Sequence, residues 1–151
     1  MLQLIYKSVA TVTISNSEFA RLMMKTRVNN ELVDITGLLV RHGENFLQLL
    51  EGPEAAVEST FRRIAADPRH KTVQVLLRQK ITQRSFTDWS MGYVCSYGTW
   101  FEYAPGAVEL FELKGNITRF SGETAFHLLR EFRFNPWRRK VDLGYAPLTM
   151  Y

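Results

Sequence analysis

Apolar and polar residues alternate over 1–9, which places Leu2, Leu4, Tyr6 and Ser8 on one face and Gln3, Ile5, Lys7 and Val9 on the other. That two-residue period is the period of a strand. It then lengthens: Ser15 with Glu18 makes a capping box, and Phe19, Leu22 and Met23 recur at helical spacing, so a first helix is expected from 15 to about 27. Asn29 and Asn30 are read as the turn after it. Residues 35–40 and 46–51 form two apolar runs separated by His42-Gly43-Glu44-Asn45, a hairpin signal. Pro53 suits the first turn of a second helix whose face is Val57, Thr60, Phe61 and Ile64. Asp67-Pro68 should end it, because the residue before a proline is driven out of the helical region. Residues 72–81 alternate again, and 91–96 reads as a fifth, shorter strand.

The order βαββαββ is an α+β, ferredoxin-like pattern with one extra strand. It predicts a five-stranded mixed sheet with two helices on one face. Right-handed crossovers put the first and third strands side by side at the centre, which makes Tyr6 and Gln48 neighbours. Residues 97–151 read as an appendage and tail to a 1–96 domain, without a separate effector domain. Helices are expected there near 107–113 and 122–133. The stripe Ala125, Phe126, Leu129 and Phe132 of the second is expected to cover the other face of the sheet.

Composition narrows the class. A chain of 151 residues is one domain, able to bury about 68 to 70% of its unfolded surface. The single cysteine, Cys95, excludes an internal disulfide and fits a reducing compartment. The start of the chain carries neither a basic leader nor a long apolar segment, so a cytoplasmic protein off the membrane is expected. A net charge of +4 would permit nucleic-acid binding, but the basic residues concentrate only in 132–140, where Phe132, Phe134 and Trp137 interleave with Arg133, Arg138, Arg139 and Lys140. A tail with packed aromatics and solvated charges is the commoner form of such a segment, so a nucleic-acid partner is the weaker alternative. The chain has no glycine-rich phosphate loop, zinc-ligand cluster or nucleophile elbow, and only three scattered histidines. Neither metal nor covalent catalysis is expected.

The candidate chemistry starts at Gln48, a primary amide inside the apolar run Phe46-Leu47-Gln48-Leu49-Leu50. Left unpaired and buried, it would cost about 1 to 3 kcal/mol. The Tyr6 phenol is its expected partner, either as a register lock or as part of a site. Asn29 and Asn30 could end the helix or offer an amide to a ligand edge. Arg63, Asp67 and His70 are spaced by four and then three, which sets Arg63 and Asp67 on one helix face; a solvated salt bridge is the commoner outcome of that spacing. A redox-capable phenol, amides and an arginine among apolar residues suit a flat, hydrogen-bonding aromatic ligand.

Five blocks carry a family resemblance: Leu4-Ile5-Tyr6-Lys7-Ser8; Asn29-Asn30 followed by Ile35-Thr36-Gly37-Leu38-Leu39; Phe46-Leu47-Gln48-Leu49-Leu50-Glu51-Gly52; Asp67-Pro68-Arg69-His70; and Phe86-Thr87-Asp88-Trp89-Ser90-Met91. In order and spacing, over roughly 2–94, they resemble the BLUF domains, blue-light sensors that use a flavin. The resemblance implies FAD held noncovalently between the two helices, with FMN or riboflavin as substitutes. It implies Tyr6 as the donor of an electron and a proton, and Gln48 as the amide between that phenol and the flavin, which rotates or tautomerises after light. It sets Asn29 and Asn30 at the pyrimidine edge, Arg63, Asp67 and His70 along the ring, and Trp89 and Met91 as the pair that competes to lie near Gln48. The implied whole is a short, stand-alone photoreceptor, not an enzyme, that self-associates and switches a downstream signalling protein.

Overall fold

The computed structural model describes residues 1–87, 92–96 and 126–127. Five strands and two helices follow one another as β1 (Leu2–Ala10), α1 (Asn16–Leu32), β2 (Thr36–His42), β3 (Asn45–Gly52), α2 (Glu54–Ala65), β4 (His70–Lys80) and β5 (Gly92–Ser96). The sheet order is β4-β1-β3-β2-β5, so the expected central pair is β1 with β3. Those two run antiparallel with Tyr6 opposite Gln48, while β5 joins β2 in parallel and makes the sheet mixed.

Each turn of the chain has a local cause. Ser15 caps α1: its hydroxyl accepts from the Glu18 N–H at 3.3 Å, and the Glu18 carboxylate accepts from the Ser15 N–H at 3.0 Å. The β2–β3 hairpin closes through Gly43 at φ 57°, a left-handed conformation that glycine adopts at no steric cost. Gly37 lets β2 and β3 pair closely, since a Cβ there would stand 2.0 Å from the Leu49 carbonyl oxygen. Pro53 precedes α2 as its N-cap, and the helix ends at Ala65, just before Asp67-Pro68.

The boundary of α1 corrects the expectation. The helix runs on to Leu32, so Asn29 and Asn30 lie in its last turn and are not a turn after it. The Asn30 carbonyl receives the Val33 and Ile35 N–H groups at 3.2 and 2.8 Å, which ends the helix later than the asparagine pair suggested.

The core lies between the sheet and its two helices: Leu4, Tyr6, Phe19, Leu39, Leu50 and Val57 are among its buried residues. The opposite face of the sheet is buried too, with Ile5, Leu38, Leu47 and Leu49 at 0% exposure. The C-terminal helices expected on that face, and the basic segment 132–140, lie outside the described residues. No helix among the described residues is long and apolar enough to cross a membrane.

Candidate functional site

Two adjacent strands bring a polar pair to the helix side of the sheet. Register sets Tyr6 of β1 opposite Gln48 of β3, and Gln48 opposite Leu39 of β2. The Tyr6 hydroxyl donates to Gln48 Oε1. Burial pushes the Tyr6 phenol well above its ordinary pKa, so at neutral pH it carries its proton and acts as a donor. The amide oxygen is therefore committed to the phenol, and the NH2 end of Gln48 is turned to its other side. Phe61 of α2 packs on the Tyr6 ring at 5.2 Å between centroids.

These two side chains form part of the wall of a cavity of about 340 Å³ between the sheet and the two helices. Every described residue of the expected site lines it: Asn29 and Asn30 from the last turn of α1, Gln48 and Tyr6 from the sheet, and Arg63, Asp67 and His70 from α2 and the start of β4. Asn30 is 1% exposed, so its amide sits at depth. Phe19 and Phe46, stacked at 6.0 Å with planes 14° apart, supply apolar wall. Trp89 and Met91 lie outside the described residues.

One expected pairing is corrected. Asp67 is bound by Arg69 and not by Arg63: Arg69 Nε donates to both carboxylate oxygens at 2.9 and 3.0 Å. The Arg69 backbone N–H adds a bond at 2.9 Å. The Arg69 guanidinium holds the Asp67 carboxyl down at about 2. The spacing of four favoured Arg63, but helix α2 has ended by Asp67, and the Asp-Pro-Arg turn folds Arg69 back onto the carboxylate. Arg63 stays at the cavity without that partner.

Two contacts near His70 were not foreseen. Its Nδ1 lies 3.0 Å from the Ser8 hydroxyl, and its ring meets Phe46 edge-on at 5.7 Å. Alternation placed Ser8 on the Tyr6 face, which was the available signal. Burial lowers the His70 pKa, partly offset by Asp67. Arg41, a charged residue on the helix face of β2, is also buried; it lies over the Phe19 ring at 5.1 Å and donates to the Ile14 and Gly43 carbonyls at 3.1 and 3.0 Å. Nothing in an isolated arginine at a strand end signals such a place.

The cavity falls within the usual range for cofactor sites, about 300 to 1,000 Å³. Apolar walls with a phenol, carboxamides and a guanidinium at the polar positions fit a flat heteroaromatic ring with donors and acceptors on its edges. Among the described residues, no group of three or more His, Cys, Asp or Glu is placed to hold a metal ion.

Known proteins fall into line with this geometry. A family model described as BLUF, sensors of blue light using FAD, matches residues 1–92. The blue light- and temperature-regulated antirepressor BluF of Escherichia coli K12 is 35% identical over 81 residues, covering 54% of this chain and 16% of that protein. Photoactivated adenylate cyclase subunit beta of Euglena gracilis is 33% identical over 89 residues, 58% of this chain and 10% of that one. The chain thus spans a small part of the length of these curated relatives. Among solved structures, the dark state of BlrB, a BLUF protein, superimposes with a TM-score of 0.70 at 32% identity, covering 85% of this chain and 92% of the other. The photo-activated state of BlsA gives 0.73 at 26% identity, covering 89% and 95%.

Proposed function

The chain belongs to the BLUF family, sensors of blue light using FAD, and from that premise we propose that it is a blue-light receptor whose switch is the Tyr6–Gln48 pair. The observation that carries this reading is the hydrogen bond from the Tyr6 hydroxyl to Gln48 Oε1 in the wall of a cavity lined also by Asn29, Asn30, Arg63, Asp67 and His70. In this reading the two asparagine amides and Arg63 hold the polar edges of the ring, while Asp67 and His70 line it nearby. Bound there, FAD supplies absorption of blue light and, once excited, oxidising power.

The residues do the rest. Tyr6 is the phenol of the wall and the electron source. Loss of electron density makes its hydroxyl strongly acidic, and the proton leaves Oη for Gln48 Oε1, the atom to which it already donates. A Gln48 side chain protonated at that oxygen can tautomerise or turn about its last bond before electron and proton go back to Tyr6. Tyr6 then ends as it began, while Gln48 presents the opposite end of its amide to the cavity. No bond between heavy atoms of the chain is changed at the end, so relaxation is thermal, and no substrate is turned over. The changed hydrogen bonds, which should involve Trp89 and Met91, then bias binding of a downstream signalling protein or a second copy of the chain, because a state shifts an equilibrium only through differential contacts.

The decisive experiment is a pair of absorption spectra of the flavin-loaded chain, in darkness and under blue light. A reversible shift to the red is expected in the native chain and none in Gln48→Ala or Tyr6→Phe. A native spectrum that does not move would overturn the reading.

A further inference from the structure

A polar row crosses the sheet on the face away from α1 and α2. Thr36, Glu51, Gln3 and Gln79 stand in register across β2, β3, β1 and β4. Gln79 Nε2 donates to Gln3 Oε1 at 2.7 Å, and Gln3 Nε2 donates to Glu51 Oε1 at 2.6 Å. Glu51 is the hub of the row and has no exposed surface. Its remaining donors come from outside the sheet: the Ser85 N–H at 2.9 Å and the Phe86 N–H at 3.1 Å, both to Oε2. Next to them, Arg84 donates to Thr36 Oγ1 at 3.3 Å and to the Asp34 carbonyl at 2.8 Å, and forms an ion pair with the Asp34 carboxylate at 2.7 Å.

A carboxylate taken out of water must find donors to replace it. Here two of those donors belong to the stretch that leads the chain from β4 into β5, the edge strand that pairs with β2. Glu51 also lies three residues beyond Gln48 on the same central strand, facing the other way. Whatever moves β3 on the cavity side therefore moves the group that holds residues 84–86 on the far side. We propose that Glu51 is a positioning residue that ties the strand carrying Gln48 to segment 84–86, so that the light-driven change at Gln48 alters the hold on the chain entering β5. The proposal rests on the photosensory reading above. The two-state element it requires is the Gln48 amide, and the link is a backbone and one buried carboxylate.

Amide hydrogen exchange tests it, on the flavin-loaded chain in darkness and under continuous blue light, with the red shift recorded on the same samples. In the native chain the Ser85 and Phe86 amides should change protection by about threefold or more on illumination, while amides at the centre of β1 stay unchanged. Glu51→Gln keeps the shape but points an NH2 group at donors. It should keep flavin and red shift, lose about tenfold in dark protection at Ser85 and Phe86, and lose their light-minus-dark difference. A residue that is only a staple would loosen the segment equally in both states and leave that difference intact, which overturns the proposal. So does a native chain that shifts its spectrum with no change at Ser85 or Phe86, and this arm decides the matter if Glu51→Gln does not fold. A native chain without a red shift overturns the photosensory reading, and the proposal falls with it.

Discussion

Tyr6 and Gln48 bind each other directly, and that has a measurable consequence for the protein as well as for the spectrum. Tyr6→Phe removes the donor from a buried amide oxygen, which should cost about 1 to 3 kcal/mol in the flavin-free chain by urea unfolding; a loss near zero would mean that the pair is not formed in solution. The neighbouring His70 sets a pH dependence. Burial makes the folded chain hold the His70 proton less tightly than the unfolded chain, whose imidazole titrates near 6.5. Stability is thus undiminished above 6.5 and declines as pH falls below it, because the unfolded state takes up a proton that the folded state resists. Asp67 acts in the same direction but lower: held at about 2 by Arg69, it stabilises the fold above the ordinary aspartate value of 3.8 and loses that contribution as pH falls toward 2. Urea midpoints should therefore fall from pH 7.5 to 5 in the native chain and flatten over that range in His70→Gln, while Asp67→Asn should lower the midpoint at neutral pH and flatten the further fall below pH 4.

At the scale of elements, the sheet depends on one close approach. A methyl group at Gly37 would meet the Leu49 carbonyl oxygen at 2.0 Å, and that oxygen is strand backbone, which cannot step aside without breaking the β2–β3 ladder. Gly37→Ala should cost about 4 kcal/mol or more, an exceptional loss for one methyl group, seen as a collapse of the urea midpoint or of soluble yield. An unchanged midpoint would show that the strands can separate there. Strand periods, the capping box at Ser15 and the proline before α2 were all legible in the sequence, because each is a local preference that the tertiary fold also satisfies. The end of α1 was not. Two successive asparagines carry the chemistry of a turn, yet at Asn30 the backbone stays helical and the side chain is buried at the cavity, so tertiary placement overrode the local signal. Glu51 was illegible for a related reason: a charged residue closing an apolar run looks like the edge of water, and its donors, Ser85 and Phe86, lie more than thirty residues away along the chain. The Asp67 partnership was misjudged because spacing speaks for helices only, and by Asp67 the helix is over.

On the scale of the whole molecule, the crossovers determine what the cavity can recognise. Placing β1 and β3 at the centre puts the Tyr6–Gln48 pair beneath both helices, so all the described site residues surround one cavity of about 340 Å³. Among the polar groups of its wall, the amides, the phenol and the Arg63 guanidinium suit a ring edge, while Asp67 and Arg69 are engaged with each other and His70 lies by Ser8. The recognition energy should accordingly reside in the ring, which FAD, FMN and riboflavin share. Their dissociation constants, measured by quenching of flavin fluorescence, should agree within about tenfold, or 1.4 kcal/mol. At a hundred times its own dissociation constant each should also stabilise the fold by about 2.7 kcal/mol through mass action alone. A hundredfold advantage of FAD over riboflavin would place a large share of the binding energy on the adenylate, and the recognition surface would then have to extend beyond this cavity. Equal affinities would instead leave the choice of flavin to its abundance, with the Tyr6–Gln48 pair meeting the same ring in every case.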